Sequence, residues 1–345
     1  MKAALLTAPN ALEIVESDLP VAGPDEVRVR VVACGLCGTD LHTLAGNNAL
    51  VRYPTIPGHE FVGVVDAVGE CVSSLKTGDR IAVDPSRSCG HCIKCRSGWP
   101  NLCPDKGGHG SRFPGGFSEY VVAREESCVV LDEGVSWNRA VLSEPLACVL
   151  HGMDRLGPVL GKKTLVFGAG TIGMLAASLL IEGGARVQMV ELSETRQQIA
   201  RSWGIRCEAS ADDFDDESLW DVVVDATGVP AAIQQAVTLV RRGGSMLMLG
   251  VAPQDQTIEL SPYRVNWHEL TIIGSMAIRQ SFQRAVELLP QISAPLESLV
   301  THALPLEELS DGIDLVRSKH AMKVVVSPAD REALIAHRAG TEQQK

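Results

Sequence analysis

Two cysteine-bearing segments have the residue types and spacing of metal sites. SCGHCIKCRSGWPNLC spaces Cys89, Cys92, Cys95 and Cys103 as Cys-x2-Cys-x2-Cys-x7-Cys, so four thiolates from one loop can reach a single tetrahedral centre. Gly90, Gly98, Gly107, Gly108, Pro100 and Pro104 suit a lobe ordered by metal rather than by an apolar core. A structural zinc fits this pattern; an iron–sulfur cluster takes the same ligands, and the thiolates alone do not separate the two. The second segment set is mixed. GLCGTDLH places Cys37 in a Gly-flanked turn after a strand, and GHE places His59 and Glu60 at the start of another strand. One thiolate, one imidazole and one carboxylate leave an open position on zinc, which catalysis needs and a closed structural site lacks. Each fragment is weak alone, since a lone histidine is more often an ordinary core or surface residue. Cys34 and Cys37 also spell Cys-x-x-Cys, but Cys34 falls on a strand and reads as core.

A third signal is rich in glycine. LVFGAGTIGML sets Gly168, Gly170 and Gly173 as G-x-G-x-x-G, with Ala169, Thr171 and Ile172 between them. Backbone amides and a helix N-terminus can there approach a pyrophosphate without side-chain obstruction. The next strand, RVQMVE, ends at Glu191, 18 positions after Gly173. An acidic residue at that place accepts hydrogen bonds from ribose hydroxyls and repels a 2′-phosphate, which favours NAD over NADP. Arg196, five residues on, pulls the other way, because an arginine can meet a phosphate. Thr227 in DATG and Leu249 near the end of a later strand either line the nicotinamide half or form ordinary strand-end turns.

These residues need two kinds of scaffold. Up to about Cys148 the chain alternates short β-type runs (Glu26 to Val32, Phe61 to Val68, Arg80 to Val83, Glu119 to Val122) with Gly/Pro turns, and shows little helical periodicity. Strand and helix then alternate, with strands at Thr164 to Phe167, Arg186 to Glu191, Asp221 to Asp225, Ser245 to Val251 and Leu270 to Gly274. Helices are expected at Ile172 to Glu182, Glu194 to Trp203 and Ala231 to Val240, the rhythm of a doubly wound parallel sheet. After Gln280 a helix, a strand, another helix and KVVV are expected to rejoin the first domain, before a frayed polar tail ending AGTEQQK.

Composition bounds the function. With 345 residues, 45% hydrophobic and 21% charged, the chain can bury two cores. A net charge of −11 argues against nucleic acid and anionic membrane surfaces as partners. Ten cysteines without a signal-peptide pattern point to metal ligation or packing in a cytoplasmic protein rather than to a disulfide scaffold.

Taken together, GLCGTDLH, GHEFVGVV, the four-cysteine lobe, the glycine fingerprint and the closing KVVV resemble the zinc-dependent medium-chain alcohol dehydrogenases over residues 1–327. That resemblance implies an α/β chain with a β-rich GroES-like catalytic domain (1–146 and 284–345) and a doubly wound Rossmann cofactor domain (147–283). It implies two zinc ions per chain and NAD. Cys37 and His59 would ligate the catalytic zinc, Glu60 would be an adjacent or exchanging ligand, and Asp40 would orient His59. Thr39 would begin a proton relay that continues through His42, with a water associated with Glu144 as the other route for the proton. Simple-alcohol members carry a second cysteine as third ligand; Glu144, in LSEPLACVLH, takes that place here and resembles the polyol branch. Cys148 is a rival ligand but reads as core. By charge, zinc with Cys37 and one glutamate is neutral, and a second glutamate leaves a negative cluster. The implied reaction is oxidation of a polyol hydroxyl, with L-threonine 3-dehydrogenase-like amino-alcohol oxidation as the alternative and a non-catalytic zinc- and nucleotide-binding relative as a third reading. The resemblance further implies a homodimer or homotetramer, with Leu270 to Met276 as a candidate contact.

Overall fold

In EVRVRVVACGL, Val27, Val29 and Val31 are fully buried while Arg28 and Arg30 between them remain partly exposed, which is the period of a strand with one face in a core. Repetition of that pattern builds the first of two units. The computed structural model describes residues 1–214, 219–319 and 321–328, and divides into Met1–Glu144, Phe282–Gln291 and the chain from Leu296 onward as one unit, with Pro145–Ser281 and Ile292–Pro295 as the other.

The strands of the first unit are Lys2–Ala8 (β1), Ala11–Glu16 (β2), Glu26–Leu36 (β3), Glu60–Val68 (β4), Arg80–Val83 (β5), Ser86–Arg87 (β6), Gly107–Gly108 (β7), Tyr120–Arg124 (β8) and Cys128–Val130 (β9). Those of the second are Lys163–Phe167 (β10), Arg186–Val190 (β11), Arg206–Glu208 (β12), Trp220–Asp225 (β13), Val240–Met248 (β14) and Thr271–Gly274 (β15). Val300–Pro305 (β16) and Lys323–Ser327 (β17) then complete the first unit's main sheet, ordered β16-β17-β3-β4-β5-β9 with β8 also on β3. β17 runs antiparallel to β3, pairing Val325 with Gly35, so KVVV is brought beside the strand that leads into Cys37. The second unit carries a parallel sheet ordered β12-β11-β10-β13-β14-β15, flanked by helices such as Thr171–Glu182 and Pro230–Thr238. The reversal of strand order at β10/β13 creates the crevice at the carboxyl ends where such sheets bind ligands.

Several elements differ from the sequence reading. Cys37 does not lie in an open turn: it caps the helix Gly38–Leu44, too short to show periodicity. β2 and β12 were not anticipated. The helix expected to reach Val240 ends at Thr238, and the strand begins at Val240 because that side chain is buried against the β13 end, where Val240 pairs with Trp220. The polar tail lies outside the described residues.

Candidate active site

The thiol of Cys37 accepts the Thr39 amide at 3.3 Å, while the Cys37 amide donates to Asp40 Oδ2 at 3.0 Å. This reciprocal cap fixes the cysteine and the aspartate against each other at a helix start. Asp40 is buried, and its other oxygen lies 3.4 Å from His59 Nδ1. Burial disfavours the charged imidazole, but Asp40 and Cys37 outweigh it and hold the His59 pKa well above the ordinary histidine value. His59 belongs to two triads whose donor atoms all lie within 4.8 Å of one another: Cys37, Asp40 and His59, and His59, Glu60 and Glu144. Glu144 comes from the first turn of the helix Ser143–Leu156, which also contains Pro145. Thr39 and His42 are both exposed on Gly38–Leu44. No hydrogen bond joins their side chains among the described residues, so the expected relay is not a formed wire.

Sequence reasoning missed Lys323. The lysine opens β17 and is buried, donating to both Glu60 oxygens at 2.9 and 2.6 Å and lying 3.5 Å from the Leu36 carbonyl. Burial works against its charge, but Glu60, then Cys37 and Glu144, keep its pKa above the ordinary lysine value. The excess negative charge expected from a second glutamate is therefore cancelled. A lysine opening an otherwise apolar strand was the available signal. Gly35 completes this corner, since a Cβ there would lie 2.1 Å from Glu60 Oε2.

The four-cysteine lobe passes a geometric test. Its sulfur separations include 3.5 Å (Cys92–Cys95 and Cys89–Cys103), 3.8 Å (Cys92–Cys103) and 4.0 Å (Cys89–Cys95). A tetrahedron with zinc–sulfur bonds of about 2.3 Å has edges of about 3.8 Å. The Cys92 amide, 3.4 Å from Cys89 Sγ, leads the backbone donors that draw the Cys89 thiol down to about 6, favouring the thiolate a metal needs.

In the second unit the glycines have separable reasons. A Cβ on Gly173 would stand 1.8 Å from the Gly168 carbonyl oxygen, so this position requires glycine for helix–turn packing. Gly168 adopts φ +93°, and a Cβ there would meet the Thr227 methyl at 2.9 Å. At Gly170 the nearest atom to an added Cβ is Arg196 Nη1 at 3.7 Å, so here the open side faces available space. Glu191 Oε2 accepts the Ala169 amide at 2.8 Å and Oε1 the Ser193 amide at 2.9 Å, tying the fingerprint turn to the end of β11. Thr227 Oγ1 donates to buried Asp225 at 2.5 Å, and the Leu249 amide to the Asp225 carbonyl at 2.8 Å. Ile172 and Leu249 meet at a small cavity with Ser275 and Ala277, and Cys148 lines it too. Cys148 is thus a partly exposed wall residue rather than core, because its side of the helix faces that cavity. Gly168, Gly170, Thr171, Ile172, Gly173, Glu191, Arg196, Thr227 and Leu249 all fall on the turns and strand ends at the carboxyl edge of β10, β11, β13 and β14, or on the helices that follow them.

Comparison with known proteins places these features. Residues 23–133 match the model for the alcohol dehydrogenase GroES-like domain, and residues 171–291 match the zinc-binding dehydrogenase model. The chain is 33% identical over 341 residues to D-arabinitol dehydrogenase 1 of Uromyces fabae, covering 95% of this chain and 97% of that protein. It is 36% identical over 315 residues to D-altritol 5-dehydrogenase of Agrobacterium fabrum, covering 87% and 94%. A crystal structure of a putative zinc-binding dehydrogenase from Sinorhizobium meliloti bound to NADP superposes with a TM-score of 0.91 at 31% identity, covering 95% of this chain and 99% of that one.

Proposed function

The chain belongs to the zinc-dependent medium-chain dehydrogenases, and on that premise we propose that it oxidises a secondary hydroxyl of a polyol to a ketone with NAD as hydride acceptor. The observation that carries this reading is the convergence of Glu144 on His59 and Glu60, a carboxylate-rich donor set in place of a second thiolate. The relatives named for arabinitol and altritol support the same substrate class.

The residues fit the metal. Cys37, His59 and Glu144, with Glu60 adjacent, supply soft, borderline and hard donors suited to zinc with one position left open. Zinc held there would supply Lewis acidity, lowering the pKa of a substrate hydroxyl towards neutrality. Asp40 fixes the His59 ring through Nδ1, which leaves the Nε2 lone pair for ligation. Lys323 holds Glu60 by both oxygens and balances its charge. Thr39, exposed in the first turn, would take the leaving proton and, having no hydrogen bond to His42, pass it on through solvent, to which both side chains are open.

We assign zinc chemistry to the first unit and dinucleotide binding to the second. There the Gly168–Gly173 turn cradles the pyrophosphate and Glu191 faces the ribose hydroxyls, which supports NAD although the fold also accepts NADP elsewhere. That none of the ten cysteines is in a disulfide supports a reducing, cytoplasmic setting. The edge position of β15 in its sheet supports assembly with a second copy into a homodimer or homotetramer.

The test is NADH formation from D-arabinitol, sorbitol, threitol, galactitol and L-threonine in parallel, each repeated with NADP. Turnover of at least one polyol, faster with NAD, is expected. Activity confined to threonine would replace the polyol reading with amino-alcohol oxidation.

A further inference from the structure

Away from the mixed donor set, the first unit contains a cavity of about 160 Å³ beside the four-cysteine lobe, lined by Arg87, Ser88, Asp105, Arg112, Phe113 and Arg124 among others. Three guanidinium groups, the Asp105 carboxylate and Cys89 of the four-cysteine lobe share its wall. Arg87 lies over the Phe113 ring, with its guanidinium carbon 4.1 Å from the centroid, so its plane is fixed. Gly107 makes room for the Arg112 stem: an added Cβ would fall 2.5 Å from Arg112 Cδ. The Nε atoms of both Arg87 and Arg112 are buried and have no acceptor.

The carboxylates nearby do not account for this arrangement. Asp105 takes Arg112 Nη1 at 2.6 Å and lines the cavity. Glu26 stands 3.7 Å from Arg87 and Glu126 3.3 Å from Arg124, but neither lines it. Three guanidinium groups thus border one space whose wall holds a single carboxylate, and a tetrahedral oxyanion there would offer their N–H groups an acceptor of opposite charge.

We propose that this cavity binds a small oxyanion, either inorganic phosphate or the phosphate of a phosphomonoester, separately from the catalytic and dinucleotide sites. The guanidinium forks of Arg87, Arg112 and Arg124 contact its oxygens. The inference stands apart from the polyol reading, because no residue of the reaction takes part.

The experiment is calorimetric titration of the zinc-loaded protein with inorganic phosphate at saturating NADH, which fills the other phosphate-binding turn, against chloride at matched ionic strength. One saturable phosphate per chain is expected, with no counterpart for chloride. Arg124→Gln, at the most exposed of the three arginines, should weaken phosphate about tenfold, as loss of one charge-assisted contact does, while leaving alcohol turnover unchanged. Glycerol 3-phosphate that displaces phosphate identifies a phosphomonoester as the ligand; phosphate binding that glycerol 3-phosphate cannot displace identifies the free ion. No uptake beyond chloride, or an Arg124→Gln protein that binds phosphate as the parent does, overturns the proposal.

Discussion

Replacing Lys323 by methionine keeps the length of the stem and removes the charge. It leaves the Glu60 carboxylate, itself buried, without the donor that bonds both its oxygens at 2.6 and 2.9 Å. Breaking one side of a buried pair costs about 3–5 kcal/mol, because the surviving charge stays desolvated. For a unit of this size each kcal/mol moves the melting temperature by roughly 2–4 °C, so Lys323→Met should lower the transition by about 10 °C. Differential scanning calorimetry of the zinc-loaded protein reads this directly. Glu60→Gln combined with Lys323→Met removes both charges and should recover most of the loss, since a neutral pair of similar volume is often tolerated. A single-variant shift of about 2 °C or less, or a double variant whose loss is the sum of the two singles, refutes the claim that the pair acts as a unit.

Chelation should remove metal in two stages, the Cys37/His59/glutamate site first because it has one thiolate, and activity should disappear with that first ion while the four-cysteine ion remains; metal content measured alongside turnover checks it, and iron in place of zinc would contradict the ligand assignment. Gly173→Ala forces a Cβ to within 1.8 Å of the Gly168 oxygen, so NADH affinity by fluorescence titration should fall about tenfold or more, with zinc content unchanged. His109 is buried edge-on to Phe61, with Nδ1 2.7 Å from the Pro114 carbonyl, and burial lowers its pKa to about 4 from 6.5. The unfolded chain therefore binds the extra proton in that window: the contribution is complete above pH 6.5 and is lost as pH falls towards 4, by about 3 kcal/mol in all. His109→Gln, which can still donate to Pro114, should flatten this part of the stability–pH curve relative to the parent.

What could be read from the sequence was whatever the chain keeps local. The four cysteines occupy fifteen consecutive positions, and the glycines of the fingerprint report collisions within the same turn, 1.8 Å in the case of Gly173. Strand alternation at Val27, Val29 and Val31 was equally direct. Short elements escaped because they lack a full period: Gly38–Leu44 has under two turns, and Arg206–Glu208 has three residues. Cys148 was misjudged because an apolar helical run does not say which of its faces meets a cavity. The Glu60–Lys323 bond spans 263 positions, and no local pattern announces a partner at that distance.

That one long-range bond changes the electrostatics of the candidate site. Without it, Glu60 and Glu144 are interchangeable carboxylates beside His59, and their joint charge makes the cluster negative. With it, Glu60 is held by both oxygens and neutralised, and Lys323 also interacts electrostatically with Glu144. For Glu60 to ligate a metal it must leave a buried ammonium, at a cost of several kcal/mol unless the metal replaces the lost interaction. On the proposed function, Glu60 would therefore be an exchanging ligand, joining the metal only when it gives up Lys323. Lys323 sets the barrier between these states, so Lys323→Met should draw Glu60 towards the metal, an effect separable from lost stability by following the coordination sphere with cobalt in place of zinc. An unchanged cobalt spectrum would leave Lys323 a purely structural counter-ion.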